Sequence, residues 1–150
     1  VPKGKEVVST KGKISQWDRT YRTPGEPLDT VMPMAVLING ASASAAEIVS
    51  GSLQDMDRAV LSGQRSFGKG LVQSPRELPY NGSVKVTMSK YYIPSGRCIQ
   101  QMDYSHRKAD GSVGAIPDSL TSVFYTSKGR PVRDGGGFNP PFLKKKTEKL

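Results

Sequence analysis

The chain is poor in the residues that build disulfide frameworks, zinc sites and histidine-based catalysis. Its 150 residues include one cysteine, Cys98, and one histidine, His106. A single cysteine excludes an internal disulfide and a cysteine-rich zinc site. No grouping of histidine, cysteine and carboxylates has the spacing of metal ligands, so no metal or other cofactor is expected. No apolar run approaches the ~20 residues that cross a bilayer, which excludes a membrane-spanning helix within these residues.

Acidic residues are also scarce, since 13 Asp and Glu stand against 22 Lys and Arg and leave a net charge of +9. Such an excess raises the hypothesis of nucleic-acid binding. However, residues 1–13 and 144–150 each hold four lysines against one glutamate, so the two ends carry most of the excess. Between them there is no basic run interleaved with aromatic residues, as base stacking requires. We therefore expect no nucleic-acid partner, and we predict that residues 144–150 are a disordered basic tail.

The length, with 35% hydrophobic and 23% charged residues, is typical of one globular domain with a real core. The chain opens on Val1 and has no signal peptide or lipidation motif. We therefore expect a processed product or a piece of a longer protein, and the compartment is left open.

An apolar segment followed by a helix signal is the strongest local pattern. Residues 31–39 predict a buried strand. Ser44 and Glu47 fit a capping box, and apolar residues recur at steps of three and four from 45 to 56, which predicts a helix with one apolar face. Further strands are predicted at residues 7–8, 58–62, 83–88 and 122–126, whereas residues 103–118 are predicted to be a loop. Strand, helix and hairpins together predict a mixed α/β core.

Ser44 is a candidate nucleophile because it lies where the apolar strand turns into the helix. A helix N-terminus presents unpaired N–H groups and a positive dipole end, and the N–H of Ala45 is placed to stabilise an oxyanion. The alternative is structural, since serine is also a preferred N-cap residue. Ser42 is a competing hydroxyl two residues earlier.

A nucleophilic serine needs a base, and the chain offers two candidates. His106 would complete a triad, but its polar surroundings favour an exposed loop position. Lys69 lies in a glycine-flanked loop and would have to be held neutral by desolvation. Cys98 is interpreted as a small packed residue, and a Cys98–His106 dyad has no support from the surrounding sequence.

Residues 63–70 also approximate the phosphate-binding pattern G-x-x-x-x-G-K. Gly70 stands where that motif needs a Ser or Thr hydroxyl, and residues 71–73 do not begin a helix. A nucleotide-binding function is therefore not favoured.

Several segments in order resemble the carboxy-terminal processing (tail-specific) serine peptidases. The nucleophile segment is V-L-I-N at 36–39 and S-A-S-A-A-E-I-V at 42–49, and the lysine segment is G-Q-R-S-F-G-K-G-L-V-Q at 63–73. The strand–turn–strand Y-Y-I-P-S-G-R-C-I-Q follows at 91–100. The resemblance is strong over residues 31–100 and looser as far as Gly137.

The resemblance implies a fold and a set of roles. The fold is a ClpP/crotonase-like peptidase core fragment, with a mixed sheet, flanking helices and β-hairpins, and residues 1–143 are the C-terminal part of the catalytic core. Ser44 would be the nucleophile and Lys69 the general base. Gln73 would help to orient the lysine, and the N–H of Ala45 would form half of the oxyanion hole. Such a site requires Lys69 to be neutral in a water-poor environment.

The resemblance also implies partners and a location. Substrates would be proteins or peptides recognised by their C-terminal tails, in the periplasm or another extracytoplasmic part of the cell envelope. A PDZ domain and an upstream glycine-containing strand, which supplies the second oxyanion donor, are expected elsewhere in the same full-length protein. The 150 residues alone would then be weakly active or inactive. A homo-oligomer is compatible with the resemblance, and the alternative function is a non-catalytic protein- or peptide-binding module derived from the same fold.

Overall fold

The computed structural model describes residues 1–143, which form one α-helix, eleven strands and two short 3-10 turns. Helix α1 spans Ala45–Asp55. The strands are β1 (Glu6–Gly12), β2 (Arg19–Arg22), β3 (Ala35–Ile38), β4 (Val60–Gly63), β5 (Leu71–Leu78), β6 (Gly82–Tyr92), β7 (Met102–Arg107), β8 (Val113–Ala115), β9 (Val123–Tyr125), β10 (Pro131–Arg133) and β11 (Phe142–Leu143). This content confirms the mixed α/β class. The predicted basic tail, residues 144–150, lies outside the described residues.

A β3–α1–β4 unit organises the part of the fold that matters for function. Strands β3 and β4 pair in parallel, with Ile38 opposite Gly63, and β11 extends the sheet on the other side of β4. Parallel neighbours need a crossover connection, and α1 supplies it. The carboxyl ends of β3 and β4 therefore meet at one edge of the sheet.

A second sheet is antiparallel, with strand order β2-β1-β6-β5. Its longest pairing joins β5 to β6 through a tight turn in which Tyr80 and Asn81 both adopt positive φ. Asparagine followed by Gly82 favours such a turn, so the predicted hairpin start is confirmed. Strands β7–β8 and β9–β10 form two smaller antiparallel pairs.

The hydrophobic core joins the two larger sheets to the chain that follows them. Its buried members are Val8, Ile38, Leu61, Tyr91, Ile93, Ile99 and Phe138. Gly51, in the middle of α1, has no side chain, and the Phe138 ring occupies the space that a Cβ there would need. The helix can therefore lie directly against the aromatic ring. Within residues 1–143, no helix has the length and hydropathy to span a membrane.

Two predictions about strands and loops were wrong. The strand predicted as buried at 31–39 is restricted to Ala35–Ile38, and Leu37 is 80% exposed. Side chains alternate between the faces of a strand, and residues 1–143 bury only the face that carries Ile38. The segment predicted as a loop at 103–118 contains the hairpin β7–β8, with Met102 opposite Ala115. Its mostly exposed residues carry no alternating apolar pattern, so hydropathy could not reveal the pairing. The strands predicted near 58–62, 83–88 and 122–126 correspond to β4, β6 and β9.

The side of α1 that is buried most deeply is polar. The helix was predicted from its apolar periodicity, and its start at Ala45 is confirmed. Its buried residues, however, are Glu47, Ser50, Gly51, Ser52, Gln54 and Asp55, whereas Val49 is 57% exposed. Buried polar groups are tolerated when they are hydrogen-bonded, and these contacts, described below, tie the helix to the loops around it.

Candidate active site

The ends of the two parallel strands bring the Ser44 segment and the Lys69 loop together. After β3 the chain turns into α1, and after β4 it enters the loop of residues 64–70. The Phe67 N–H donates to the Ser42 carbonyl at 3.0 Å, which joins the two segments directly. Ligands in α/β sheets commonly bind beyond the carboxyl ends of parallel strands. The candidate site therefore lies at this edge of the sheet.

Ser44 is the N-cap residue of α1 and has an unusual backbone, with φ 55° and ψ −115°. Positive φ is sterically unfavourable for a residue with a Cβ, and such strain is concentrated at functional sites. The next residue, Ala45, begins the helix, so its N–H has no intrahelical acceptor. The predicted cap is confirmed, and its geometry leaves a donor free beside the half-buried serine.

Glu47 connects the nucleophile segment to the lysine loop. Its side chain is fully buried. Oε2 accepts from the N–H of Ser44 at 3.0 Å and from the N–H of Lys69 at 2.9 Å. Oε1 accepts from the N–H of Gly68 at 2.7 Å and from the Ser66 hydroxyl at 2.5 Å. One oxygen atom therefore holds the backbone nitrogens of both residues of the predicted dyad.

Only half of this role is visible in the sequence. The capping-box pattern placed Glu47 at the start of the helix, and its bond to the Ser44 N–H is the expected contact. Its bonds to residues 66–69 cross 19 to 22 residues of chain. No local pattern reports a contact of that separation. The sequence does offer one clue to this second role. Glu47 is an acidic residue in the first turn of a helix that packs into the fold, so its carboxylate needs donors from other segments.

The lysine loop itself is built around glycine and a buried hydroxyl. Gly68 has φ +82°, a region that glycine adopts readily, and its carbonyl accepts from the Gln101 N–H at 2.9 Å. The Ser66 hydroxyl donates to Glu47 and accepts from the Phe138 N–H at 2.7 Å. The loop is therefore held from both sides, and Lys69 lies on a fixed backbone.

The side chains of Lys69 and Gln73 are both exposed. The hydrogen bond that Gln73 makes goes from its Nε2 to the Thr87 hydroxyl at 3.3 Å, and so to β6 rather than to Lys69. The water-poor environment that a neutral lysine requires is therefore not supplied by residues 1–143.

The competing candidates lie elsewhere. His106 is on β7 with its side chain 86% exposed, and its Nδ1 lies 2.7 Å from Oδ2 of Asp103. That hydrogen bond is the main reason why the pKa of Asp103 lies below its usual value. Burial raises the pKa of the Cys98 thiol, in agreement with a packed residue. The glycine-rich loop is followed by β5 rather than by a helix, which removes the phosphate-loop geometry.

Comparisons with known proteins show the family of the chain. The model of Peptidase family S41 matches residues 1–106. A carboxy-terminal-processing protease of Bartonella bacilliformis is 46% identical over 95 residues, which cover 63% of this chain and 22% of that protein. A probable CtpA-like serine protease of Staphylococcus aureus is 36% identical over 102 residues, which cover 66% of this chain and 20% of that protein. The chain thus spans about a fifth of the length of these relatives.

A solved structure has a similar fold. The photosystem II D1 C-terminal processing protease superposes with a TM-score of 0.61 and 27% sequence identity. The superposition covers 96% of this chain and 28% of that one. The mixed α/β fold described above is therefore that of a part of such a protease.

Proposed function

Because the chain belongs to Peptidase family S41, we propose that it carries the Ser44–Lys69 dyad of a serine endopeptidase. The single observation that carries the proposal is the sharing of one Glu47 oxygen by the N–H groups of Ser44 and Lys69, at 3.0 and 2.9 Å. The positive φ of Ser44 adds independent support, because strain of this kind persists only where the surrounding structure enforces it.

The proposed reaction is amide hydrolysis through an acyl-enzyme. The neutral Lys69 amine takes the proton of the Ser44 hydroxyl, and the serine oxygen attacks the substrate carbonyl. The Ala45 N–H donates to the oxyanion. The protonated lysine then gives its proton to the leaving amine, the C–N bond breaks, and water releases the acyl group by the reverse sequence. In the active form, Gln73 orients Lys69.

The proposal assigns the rest of the site to other parts of a longer protein. Residues 1–143 would be the C-terminal part of the catalytic core. An upstream glycine-containing strand would pair with the free edge of β3 and add the second oxyanion donor. A PDZ domain of the same protein would recognise the C-terminal tail of the substrate. The 150 residues alone would then be weakly active or inactive, and the full-length protein would act outside the cytoplasm.

A second candidate function is a non-catalytic peptide-binding module with the same fold. The observation in its favour is the exposure of Lys69 and Gln73, together with the bond of Gln73 to Thr87. A binding module would have no need of a neutral lysine.

Substitution in the full-length protein separates the two functions. Ser44→Ala and Lys69→Ala should each lower kcat for peptide cleavage by at least about 10³-fold, as loss of a nucleophile or base does in serine peptidases. Peptide binding should be retained by Ser44→Ala. The matched control is Lys128→Ala, an exposed lysine in the turn after β9, which should leave the rate unchanged. Cleavage that survives Lys69→Ala would rule out the dyad.

A further inference from the structure

A groove with a rim of lysines lies beside the candidate site, on the antiparallel sheet. Its volume is about 490 Å³, within the range of pockets that bind small ligands or single side chains. Its walls come from the ends of β1, β5 and β6 and from the 3-10 turn after β1. Apolar side chains form the floor, namely Ile14, Trp17, Leu71 and Met88, and the rim carries Lys11, Lys13 and Lys90. This set is called the lysine-rimmed groove below.

The groove is continuous with the residues assigned to the dyad. Leu71 stands midway between Lys69 and Gln73 on the same stretch of chain. Thr87, which also lines the groove, accepts the hydrogen bond of Gln73. Leu71 lies two residues, or about 7 Å of extended chain, from Lys69. The groove therefore borders the segment of chain that holds the proposed base.

The floor is unusually apolar for an exposed surface. Trp17 is 52% exposed and Ile14 is 45% exposed. Tryptophan offers a large contact area and is frequent where proteins bind polypeptides. An apolar side chain of a bound peptide would remove this surface from water.

The rim is cationic, and the Asp18 carboxylate lies beside it, since it accepts from the N–H of Gly12, which lines the groove, at 2.9 Å. No carboxylate lines the groove, and none of its three lysines forms an ion pair with any acidic side chain of residues 1–143. Lys11 and Lys90 are direct cross-strand partners. Like charges placed opposite each other are unfavourable, and Lys11 gains only a contact with the Tyr92 ring, at 5.3 Å from Nζ to the centroid. A carboxylate placed between the two ammonium groups would relieve this repulsion.

We propose that the lysine-rimmed groove is a specificity subsite for the substrate polypeptide, and that it selects an apolar residue next to an internal Asp or Glu close to the scissile bond. The inference rests on the proposed function. Lys90 pairs with Lys11 on one side and with Leu71 on the other, so the backbone groups of β6 at this point are committed to the sheet. A chain-terminal carboxylate is typically held by free backbone N–H groups. Mobile ammonium groups on side chains suit an acidic side chain instead.

The test uses the full-length protein and a peptide that it cleaves. A fluorogenic series places Glu or Gln in turn at each position within three residues of the scissile bond, beside leucine. At one position the wild type should cleave the Glu peptide with a kcat/KM about tenfold above that of the Gln peptide. The difference should lie in a lower KM, and added salt should reduce it because it screens the lysine charges. The double charge reversal Lys11→Glu with Lys90→Glu should abolish the preference, so that the ratio of kcat/KM for the Glu peptide to that for the Gln peptide falls to one or below. Trp17→Ala should raise KM for both peptides.

The control Lys128→Glu should leave every ratio unchanged, because that lysine lies outside the groove. The proposal is overturned if no position shows a preference for Glu, or if the double reversal retains it. It is equally overturned if the double reversal changes only stability or oligomeric state, since the groove would then be covered by another part of the protein or by a second copy. Loss of all cleavage in Ser44→Ala and in Lys69→Ala, with no Glu preference in the wild type, would refute the subsite and leave the dyad standing.

Discussion

At the scale of single residues, Glu47 determines whether the candidate dyad can exist. Four donors converge on its carboxylate from two segments of chain, and each oxygen accepts two of them. Only a carboxylate offers two oxygens that are both acceptors. The buried charge is stabilised by these donors and by the helix N-terminus, near which Glu47 lies in the first turn. Glu47 therefore holds the backbones of Ser44 and Lys69 in place.

Replacing Glu47 by glutamine tests this role at nearly constant shape. The amide NH₂ of Glu47→Gln would face two donors in a fully buried position, so we expect a loss of about 3 kcal/mol in the free energy of unfolding. Urea denaturation of the wild type and the variant measures the difference. Glu77→Gln is the matched control, because Glu77 is exposed on β5, and it should change stability by less than about 0.5 kcal/mol. Equal midpoints for Glu47→Gln and the wild type would contradict the account.

At the scale of elements, the C-terminal end of α1 is held by a buried ion pair. Arg97 donates from Nη2 to Oδ1 of Asp55 at 2.7 Å and to the Gln54 side chain at 2.8 Å. The guanidinium also lies over the Phe138 ring, 4.9 Å from its centroid. Burial lowers the pKa of Arg97, and the charge and hydrogen bond of Asp55 oppose that shift. The helix is thus fixed at its start by Glu47 and at its end by Asp55.

Breaking this pair should cost far more than breaking an exposed one. Arg97→Met leaves the Asp55 carboxylate buried without its cation, and we expect a loss of about 3 kcal/mol in stability. The double variant Asp55→Leu with Arg97→Met should recover part of that loss, because no charge is then left buried. Arg22→Met serves as control, since its 3.5 Å contact with Glu6 is largely exposed and should contribute less than about 1 kcal/mol. A double variant that is less stable than Arg97→Met would refute this explanation.

At the scale of the whole molecule, the sequence predicts the features that depend on residues close together in the chain. The start of α1 at Ala45, the turn at Asn81 and the mixed α/β class followed from capping, turn chemistry and the order of elements. What depends on contacts between distant segments was missed, as the pairing of β7 with β8 and the second role of Glu47 both show. The exposure of β3 was also missed, because apolar content predicts burial without saying which part of a protein provides the cover.

The exposed apolar surface on and before β3 should make the chain self-associate. Leu37 on the edge strand β3 is 80% exposed, and Val31 and Met32, which precede the strand, are 87% and 64% exposed. An exposed apolar edge strand is a template for pairing with another chain. We therefore expect the 150-residue chain to self-associate as its concentration rises, and Leu37→Lys to weaken this by about tenfold, since a buried leucine contributes roughly 1.5 kcal/mol or more. Sedimentation velocity across a concentration series measures the effect.

The control variant Thr20→Lys places the same charge on β2, an exposed edge strand of the antiparallel sheet, and should leave association unchanged. If both lysine variants weaken association equally, net charge rather than the β3 surface is responsible, because β2 has no comparable run of exposed apolar side chains.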